Sequence, residues 1–109
     1  DVLMSEWTDV AAPEEIRPGE HRLIDVDDVP IAVFNIDGSF FAIEDLCSHE
    51  EYALAEGEVK GDRITCPKHG AEFCLRTGAA LTAPAYEPIT TFPVRIHEGR
   101  VQVRDDRWD

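Results

Sequence analysis

Two short segments of this sequence each combine a thiol with an imidazole, at residues 47–49 (C-S-H) and 66–69 (C-P-K-H), with sixteen residues between the two segments. A zinc finger of the Cys2His2 type usually places both cysteines before both histidines, whereas here each segment contributes one side chain of each kind. This order suits a pair of metal ions held between two loops, in which one ion binds both sulfurs and the other binds both ring nitrogens. The four candidate ligands are Cys47, His49, Cys66 and His69.

The spacing C-x-H, sixteen residues, C-x-x-H resembles the pattern of Rieske proteins, and in particular of the small Rieske ferredoxins of bacterial multicomponent aromatic-ring dioxygenases, such as those acting on biphenyl, naphthalene or carbazole. The resemblance extends from Trp7 to about Arg104 and includes the order of turns. It implies one Rieske-type [2Fe–2S] cluster per chain, bound by the four candidate ligands, with no catalytic residue. The chain would then be an electron carrier rather than an enzyme. It would pass single electrons from an NAD(P)H-dependent ferredoxin reductase to a terminal oxygenase, which would meet it near His49 and His69.

Departures from the Rieske proteins of respiratory complexes bear on the reduction potential. The two extra cysteines that form a disulfide in those proteins are replaced here by Tyr52 and Lys68, and their serine and tyrosine hydroxyls are replaced by Ala71 and Phe73. Hydrogen bonds to sulfur raise the potential of such a cluster, and neither Ala71 nor Phe73 can donate one. We therefore expect a potential near the lower Rieske limit of roughly −150 mV. We also expect Gly70 to offer its N–H toward sulfur.

Composition narrows the class of protein. The 109 residues fit a single domain, and 10 basic against 23 acidic side chains give a net charge of −13. This charge disfavours nucleic acid as a partner and suits either solubility or brief docking to a basic partner. No run of eighteen apolar residues and no basic-then-apolar leader is present, so neither a membrane span nor a signal peptide is expected. Three cysteines, two of them candidate ligands, fit a cytoplasmic protein, which we expect to be a monomer.

Short apolar runs bounded by glycine, proline and aspartate predict an all-β domain. We predict a helical turn near Pro13 and strands over 7–10, 20–26, 31–36, 39–43, 58–60, 63–65, 71–75, 92–96 and 100–103. Hairpins through Asp37-Gly38 and Gly61-Asp62 would present the two ligand loops side by side. The resemblance implies the Rieske fold, with antiparallel sheets forming a base and a small cluster-binding subdomain over about residues 45–86. A proline-containing loop at 83–85 would cover the cluster.

Two other functions remain open on the sequence. The same fold occurs in the small Rieske-like subunit of assimilatory nitrite reductases, and two cysteines with two histidines are also the ligand set of a structural zinc module that only binds a partner.

A third cysteine, two further histidines and several charged side chains near the ligand segments are also candidates for a functional role. Cys74 is interpreted as a small buried apolar residue, with a ligand of a further site or a redox thiol as the alternative. His21 and His97 are expected at the surface. The acids that flank the ligand segments, Glu50, Glu51 and Glu72, are candidates for an acidic docking rim. Lys68, between two candidate ligands, is either a solvated side chain or a pair for an acid on the partner.

Overall fold

The computed structural model describes residues 7–26, 28–45, 54–67, 70–82 and 88–105. Within these ranges the chain forms three antiparallel sheets and two single turns of 3-10 helix, at Pro13–Glu15 and Leu54–Glu56. The all-β class predicted from the sequence is confirmed. The strands are β1 (Thr8–Ala11), β2 (His21–Val26), β3 (Val29–Ile36), β4 (Ser39–Glu44), β5 (Val59–Lys60), β6 (Arg63–Thr65), β7 (Glu72–Cys74), β8 (Thr91–Phe92), β9 (Val94–His97) and β10 (Arg100–Val103).

Strand β3 separates two hydrophobic cores. It lies inside a four-stranded sheet of order β2-β3-β4-β8, and residues 31–36 are all buried. Successive side chains of a strand point to opposite faces, so Phe34 and Ile36 pack into one core while Ile31 and Val33 pack into the other. The first core also contains side chains of the sheet β5-β6-β7, and the second contains side chains of the sheet β1-β10-β9. A continuous apolar run is therefore needed in β3, because both of its faces are covered.

The hairpin that joins β3 to β4 forms as its turn residues predict. Asp37 and Gly38 both adopt left-handed backbone angles, with φ of 53° and 91°. Two consecutive residues with positive φ make the tight turn whose twist matches that of the flanking strands. Asn35 supports the turn, since its Oδ1 accepts the Gly38 N–H at 2.8 Å while its Nδ2 donates to the Ile16 carbonyl at 2.6 Å. Strand β4 runs from this turn to Glu44, which precedes Cys47 by three residues in the sequence.

The strand expected over residues 92–96 is divided in two. Phe92 belongs to β8, which pairs with β4, whereas β9 begins at Val94 and pairs with β10 in another sheet. Pro93 lies at the break, and a proline has no N–H with which to continue a ladder. Its carbonyl accepts the Arg104 N–H at 3.3 Å. The chain therefore changes sheets at this proline, which the run of apolar residues did not reveal.

The small sheet β5-β6-β7 lies in sequence between β4 and β8. The predicted hairpin through Gly61-Asp62 is confirmed, with Val59 opposite Ile64 in β6. Within the ranges described, no helix is long and apolar enough to cross a lipid bilayer.

Candidate metal centre

Of the four candidate ligands, Cys66 lies within the described part of the chain, and Cys47, His49 and His69 lie outside it. Cys66 follows β6 directly and is 1% exposed. Its thiol is not in a disulfide. Its neighbours in the core are apolar side chains, among them Leu54, Ile64 and Phe73. A buried thiol at the end of a strand is a suitable ligand, since a bound metal supplies the positive charge that a thiolate needs away from water.

Backbone hydrogen bonds shape the turn that contains the second ligand segment. The Cys66 N–H donates to the Ala71 carbonyl at 2.6 Å, and the Gly70 N–H donates to the Cys66 carbonyl at 3.0 Å. The expectation that the Gly70 N–H is offered to sulfur is therefore wrong, because this N–H is bonded to a carbonyl oxygen. The φ of Gly70 is +76°, and no atom of the described residues lies within 4 Å of the position of a Cβ. The backbone conformation by itself therefore favours a glycine here.

Asp45, which was not predicted as a site residue, links the backbone on the two sides of the first ligand segment. The Asp45 N–H donates to the Pro30 carbonyl at 2.8 Å, which extends the β3–β4 ladder by one bond. The Asp45 Oδ1 accepts the Ala55 N–H at 2.7 Å. This bond joins residues on either side of the segment that carries Cys47 and His49. The available signal was an aspartate directly after a buried strand, since aspartate often bonds backbone N–H groups in turns.

The segment expected to cover the centre is also anchored on both sides. The Thr82 Oγ1 accepts the Glu72 N–H at 2.9 Å, and the Ile89 N–H donates to the Gly78 carbonyl at 2.8 Å. The proline-containing residues 83–85 themselves lie outside the description. Strand β7 therefore holds the residue that precedes this segment, and the turn after β7 holds a residue that follows it.

The expected acidic docking rim is only partly described. Glu50 and Glu51 lie outside the described residues, as does Lys68. Glu72 lies within them, and its Oε1 accepts a hydrogen bond from Arg63 Nη1 at 3.0 Å. Its charge is therefore partly offset by a neighbour on β6, which makes it a weaker candidate than the sequence indicated.

Cys74 lies on β7 and differs from the interpretation of a fully buried residue, because its side chain is only partly buried. Burial raises the pKa of the Cys74 thiol. Hydrogen bonds from the side chain and backbone of Thr77 and from the backbone of Arg76 lower the pKa by a larger amount. The net result is a pKa below the usual value of a thiol.

The two other histidines, His21 and His97, are exposed as expected. Among the described side chains, no group of three or more histidines, cysteines and acids could hold a metal ion.

Comparison with known proteins identifies the family. The family model of the Rieske [2Fe-2S] domain matches residues 6–93. The chain is 41% identical over 95 residues to the biphenyl dioxygenase ferredoxin subunit of Pseudomonas sp. (strain KKS102), an alignment that covers 86% of either chain. It is 44% identical over 88 residues to the 3-phenylpropionate/cinnamic acid dioxygenase ferredoxin subunit of Escherichia coli (strain K12), covering 80% of this chain and 82% of that one.

Solved structures agree with these relatives. A chain in the complex of reduced oxygenase and oxidized ferredoxin in carbazole 1,9a-dioxygenase superposes with a TM-score of 0.88 and 35% identity, over 94% of this chain and 97% of that one. A nitrite reductase small subunit described as putative and NADH-dependent, from Mycobacterium tuberculosis, superposes with a TM-score of 0.83 but only 26% identity, over 94% and 96% of the two chains. The chain belongs to the Rieske [2Fe–2S] domain family, whose fold it adopts and whose cluster is its cofactor.

Proposed function

We propose that this chain is the ferredoxin component of a bacterial aromatic-ring dioxygenase system. It accepts one electron from an NAD(P)H-dependent ferredoxin reductase and delivers that electron to a terminal oxygenase. The observation that carries the proposal is the similarity to dioxygenase ferredoxin subunits across 86% of the chain. The structural likeness to a chain in an oxygenase–ferredoxin complex supports the oxygenase as the electron acceptor.

The ligand assignment is part of this proposal. The thiolates of Cys47 and Cys66 and the imidazoles of His49 and His69 would hold the cluster. The sheet β5-β6-β7 and the flanking loops form the cluster-binding subdomain of about residues 45–86. When bound, the cluster supplies a centre that gains and loses a single electron.

Residues around Cys66 support its role as a ligand in three ways. The turn after β6 holds the backbone of Cys66 through its bonds to Ala71 and Gly70. The apolar core that contains Cys66 keeps water away from its sulfur atom. Ala71 and Phe73 are fully buried and supply no hydroxyl donor, which supports a low potential.

We propose that both partners dock near His49 and His69. The net charge of −13 favours a basic partner surface and brief encounters, as a carrier with two partners requires. We propose that the chain acts as a monomer in the cytoplasm, where a reducing environment keeps thiols such as Cys74 free.

A spectrum of the purified protein tests the proposal directly. We expect a red-brown protein that contains two irons and two sulfides per chain and bleaches when dithionite is added. Cys66→Ser should abolish the colour because a buried ligand is lost, whereas Cys74→Ser, the matched control on the neighbouring strand, should keep it. A colourless wild-type protein that binds one zinc ion would reject the electron carrier in favour of a structural zinc module.

The nitrite reductase subunit is the second candidate, favoured by its closely similar fold. Its identity to this chain is 26%, against 41% for the biphenyl dioxygenase ferredoxin subunit. Electron transfer assays separate the two, because only a dioxygenase ferredoxin should support turnover of an aromatic substrate when mixed with a reductase and an oxygenase.

A further inference from the structure

We propose that Asp45 is a positioning residue for electron transfer, whose carboxylate holds the two ligand segments at a set spacing by binding the Ala55 N–H. The inference rests on the proposed function, because it takes Cys47 and Cys66 as ligands. Asp45 does not touch the metal in this proposal. It acts through the backbone that carries the ligands.

The first step is the anchoring of Asp45 itself. It follows β4, and its N–H donates to the Pro30 carbonyl at 2.8 Å, so its backbone is held by the central sheet. The residue is only 9% exposed. A buried carboxylate is retained at low cost only where it accepts hydrogen bonds, which makes its partner informative.

That partner is the Ala55 N–H, at 2.7 Å from Asp45 Oδ1. Ala55 is buried within the 3-10 turn Leu54–Glu56, and the first N–H groups of such a turn have no partner within the turn. The bond therefore satisfies a buried donor. It also joins Asp45 to Ala55, the residues on either side of residues 46–54. The ends of the first ligand segment are held together by one side chain.

The same turn is packed against the strand that leads to the second ligand. Gly57 follows the turn, and a Cβ at this position would lie 1.7 Å from the Thr65 carbonyl oxygen. The Thr65 N–H also donates to the Glu58 carbonyl at 2.9 Å. Thr65 is the last residue of β6, and Cys66 comes next. A displacement of the turn at Ala55 therefore reaches Cys66 through direct backbone contact.

Four variants test the proposal. Asp45→Ala removes the acceptor, whereas Asp45→Asn removes the charge and keeps an oxygen that can accept the Ala55 N–H. Asp45→Glu keeps the charge but displaces it by one methylene, with room in the groove that Asp45 lines together with Asp25 and Pro30. Asp25→Asn is the matched control, since Asp25 is an exposed carboxylate on β2 opposite Pro30.

Four measurements on the purified protein compare these variants. Hydrogen exchange by mass spectrometry reports on the Ala55 amide, and electron paramagnetic resonance reports on the reduced cluster. Loss of visible absorbance reports on cluster lifetime, and a redox titration reports on the reduction potential. In Asp45→Ala we expect the Ala55 amide to exchange about ten- to a hundredfold faster, as for a buried donor left unpaired. In the same variant, the electron paramagnetic resonance positions of the reduced cluster should shift, and the cluster lifetime should fall by about tenfold.

Rescue by Asp45→Asn distinguishes positioning from charge. This variant should retain wild-type exchange and resonance positions, while its reduction potential rises more than that of Asp25→Asn, because a charge acts more strongly where water is excluded. Asp45→Glu should show faster exchange and shifted resonances despite its intact charge. If Asp45→Ala does not fold, Asp45→Glu decides the question alone.

Two results would overturn the inference. Unchanged exchange at Ala55 in Asp45→Ala or Asp45→Glu would show that the bond is absent or unimportant. Faster exchange with unchanged resonances and cluster lifetime would show that the bond does not position the cluster. A failure of the proposed function is distinguishable, because a wild-type chain without iron and sulfide leaves the exchange result at Ala55 intact.

Discussion

At the scale of single residues, the environment decides what a cysteine does. Cys66 directly follows β6, and Cys74 is the last residue of β7, the strand that pairs with β6. Cys66 is buried among apolar side chains at the end of β6, which suits a metal ligand. Cys74 is partly buried and receives hydrogen bonds from Thr77, which stabilise a thiolate without a metal. The two thiols should therefore differ in whether they bind a metal.

Thr77→Val should raise the pKa of Cys74, because the variant lacks the hydroxyl that bonds the thiolate. A lowered pKa contributes stability that is complete above the pKa of the unfolded thiol and is lost as the pH falls through the pKa of the folded thiol. The variant should thus lose stability at alkaline pH. The pH dependence of iodoacetamide alkylation at Cys74, resolved by peptide mass spectrometry, measures the shift. Thr77→Ser keeps the hydroxyl and should match the wild type, and equal profiles for all three proteins would contradict the assignment.

Ala71→Ser should raise the reduction potential. Ala71 is fully buried and its carbonyl is bonded to the Cys66 N–H, so a hydroxyl at this position would lie close to the second ligand segment. A donor near sulfur shifts the potential upward from the expected lower limit of about −150 mV. A redox titration followed by circular dichroism measures the change. Ala80→Ser, on a partly buried residue that packs against the same core, is the control, and equal shifts in both variants would argue against a local hydrogen bond.

At the scale of elements, the strands next to the candidate site are short and are stabilised by packing against the central sheet. Strands β5, β6 and β7 contain two or three residues each, which is too few for stable pairing in isolation. They are held by the core they share with Phe34 and Ile43 of the central sheet. Arg76 adds a contact, since its guanidinium lies 5.0 Å from the centre of the Phe41 ring on β4. The small sheet therefore depends on the base for its stability.

Gly57→Ala should destabilise the small sheet. The added Cβ would overlap the Thr65 carbonyl oxygen, which is a backbone atom that cannot turn aside. Overpacking of this kind typically costs about 1–3 kcal/mol, and we expect the upper part of that range. Urea unfolding measures the change in free energy. Glu56→Ala removes an exposed neighbouring side chain and should change stability by less than about 0.5 kcal/mol. A wild-type midpoint for Gly57→Ala would show that the turn is free to move away from β6.

At the scale of the whole molecule, charge dominates the surface. The chain carries 23 acidic and 10 basic side chains. Some of the basic ones are engaged within the fold, since Arg95 and Arg104 lie 4.3 Å and 5.5 Å from the Trp7 ring. Others are paired, such as Arg76 with Asp62 at 3.1 Å. The excess of negative charge is therefore available to attract a basic partner at long range.

Electron transfer to the oxygenase should slow as ionic strength rises. Raising it from about 10 mM to about 100 mM shortens the screening length from about 30 Å to about 10 Å, and we expect the bimolecular rate to fall by about tenfold. The double variant Glu50→Lys/Glu51→Lys should be slower at low salt and less sensitive to salt. Stopped-flow measurement of oxygenase reduction tests both effects.

The control for this experiment carries the same change in charge elsewhere. Glu14→Lys/Glu20→Lys alters two exposed acids between β1 and β2 rather than acids beside a ligand segment. We expect it to slow the reaction less. Equal rates for the two double variants would assign the attraction to net charge and remove Glu50 and Glu51 from the docking surface.

The order and spacing of Cys47, His49, Cys66 and His69 were sufficient to predict the family and its cofactor, because ligand type and loop length are properties of the chain itself. The turns at Asp37-Gly38 and Gly61-Asp62 were also predictable, since the preference for left-handed backbone angles is local. The ligand assignment to individual residues remains a prediction.

Tertiary structure decided the features that depend on residues distant in sequence. The alternation of β3 between two cores required sheets on both of its faces, and the change of sheet at Pro93 required two different partner strands. The bond from Ala55 to Asp45 and the contact of Gly57 with Thr65 join separate segments of the chain. A local pattern of residue types cannot specify such contacts, because their formation depends on where the rest of the chain brings each backbone group.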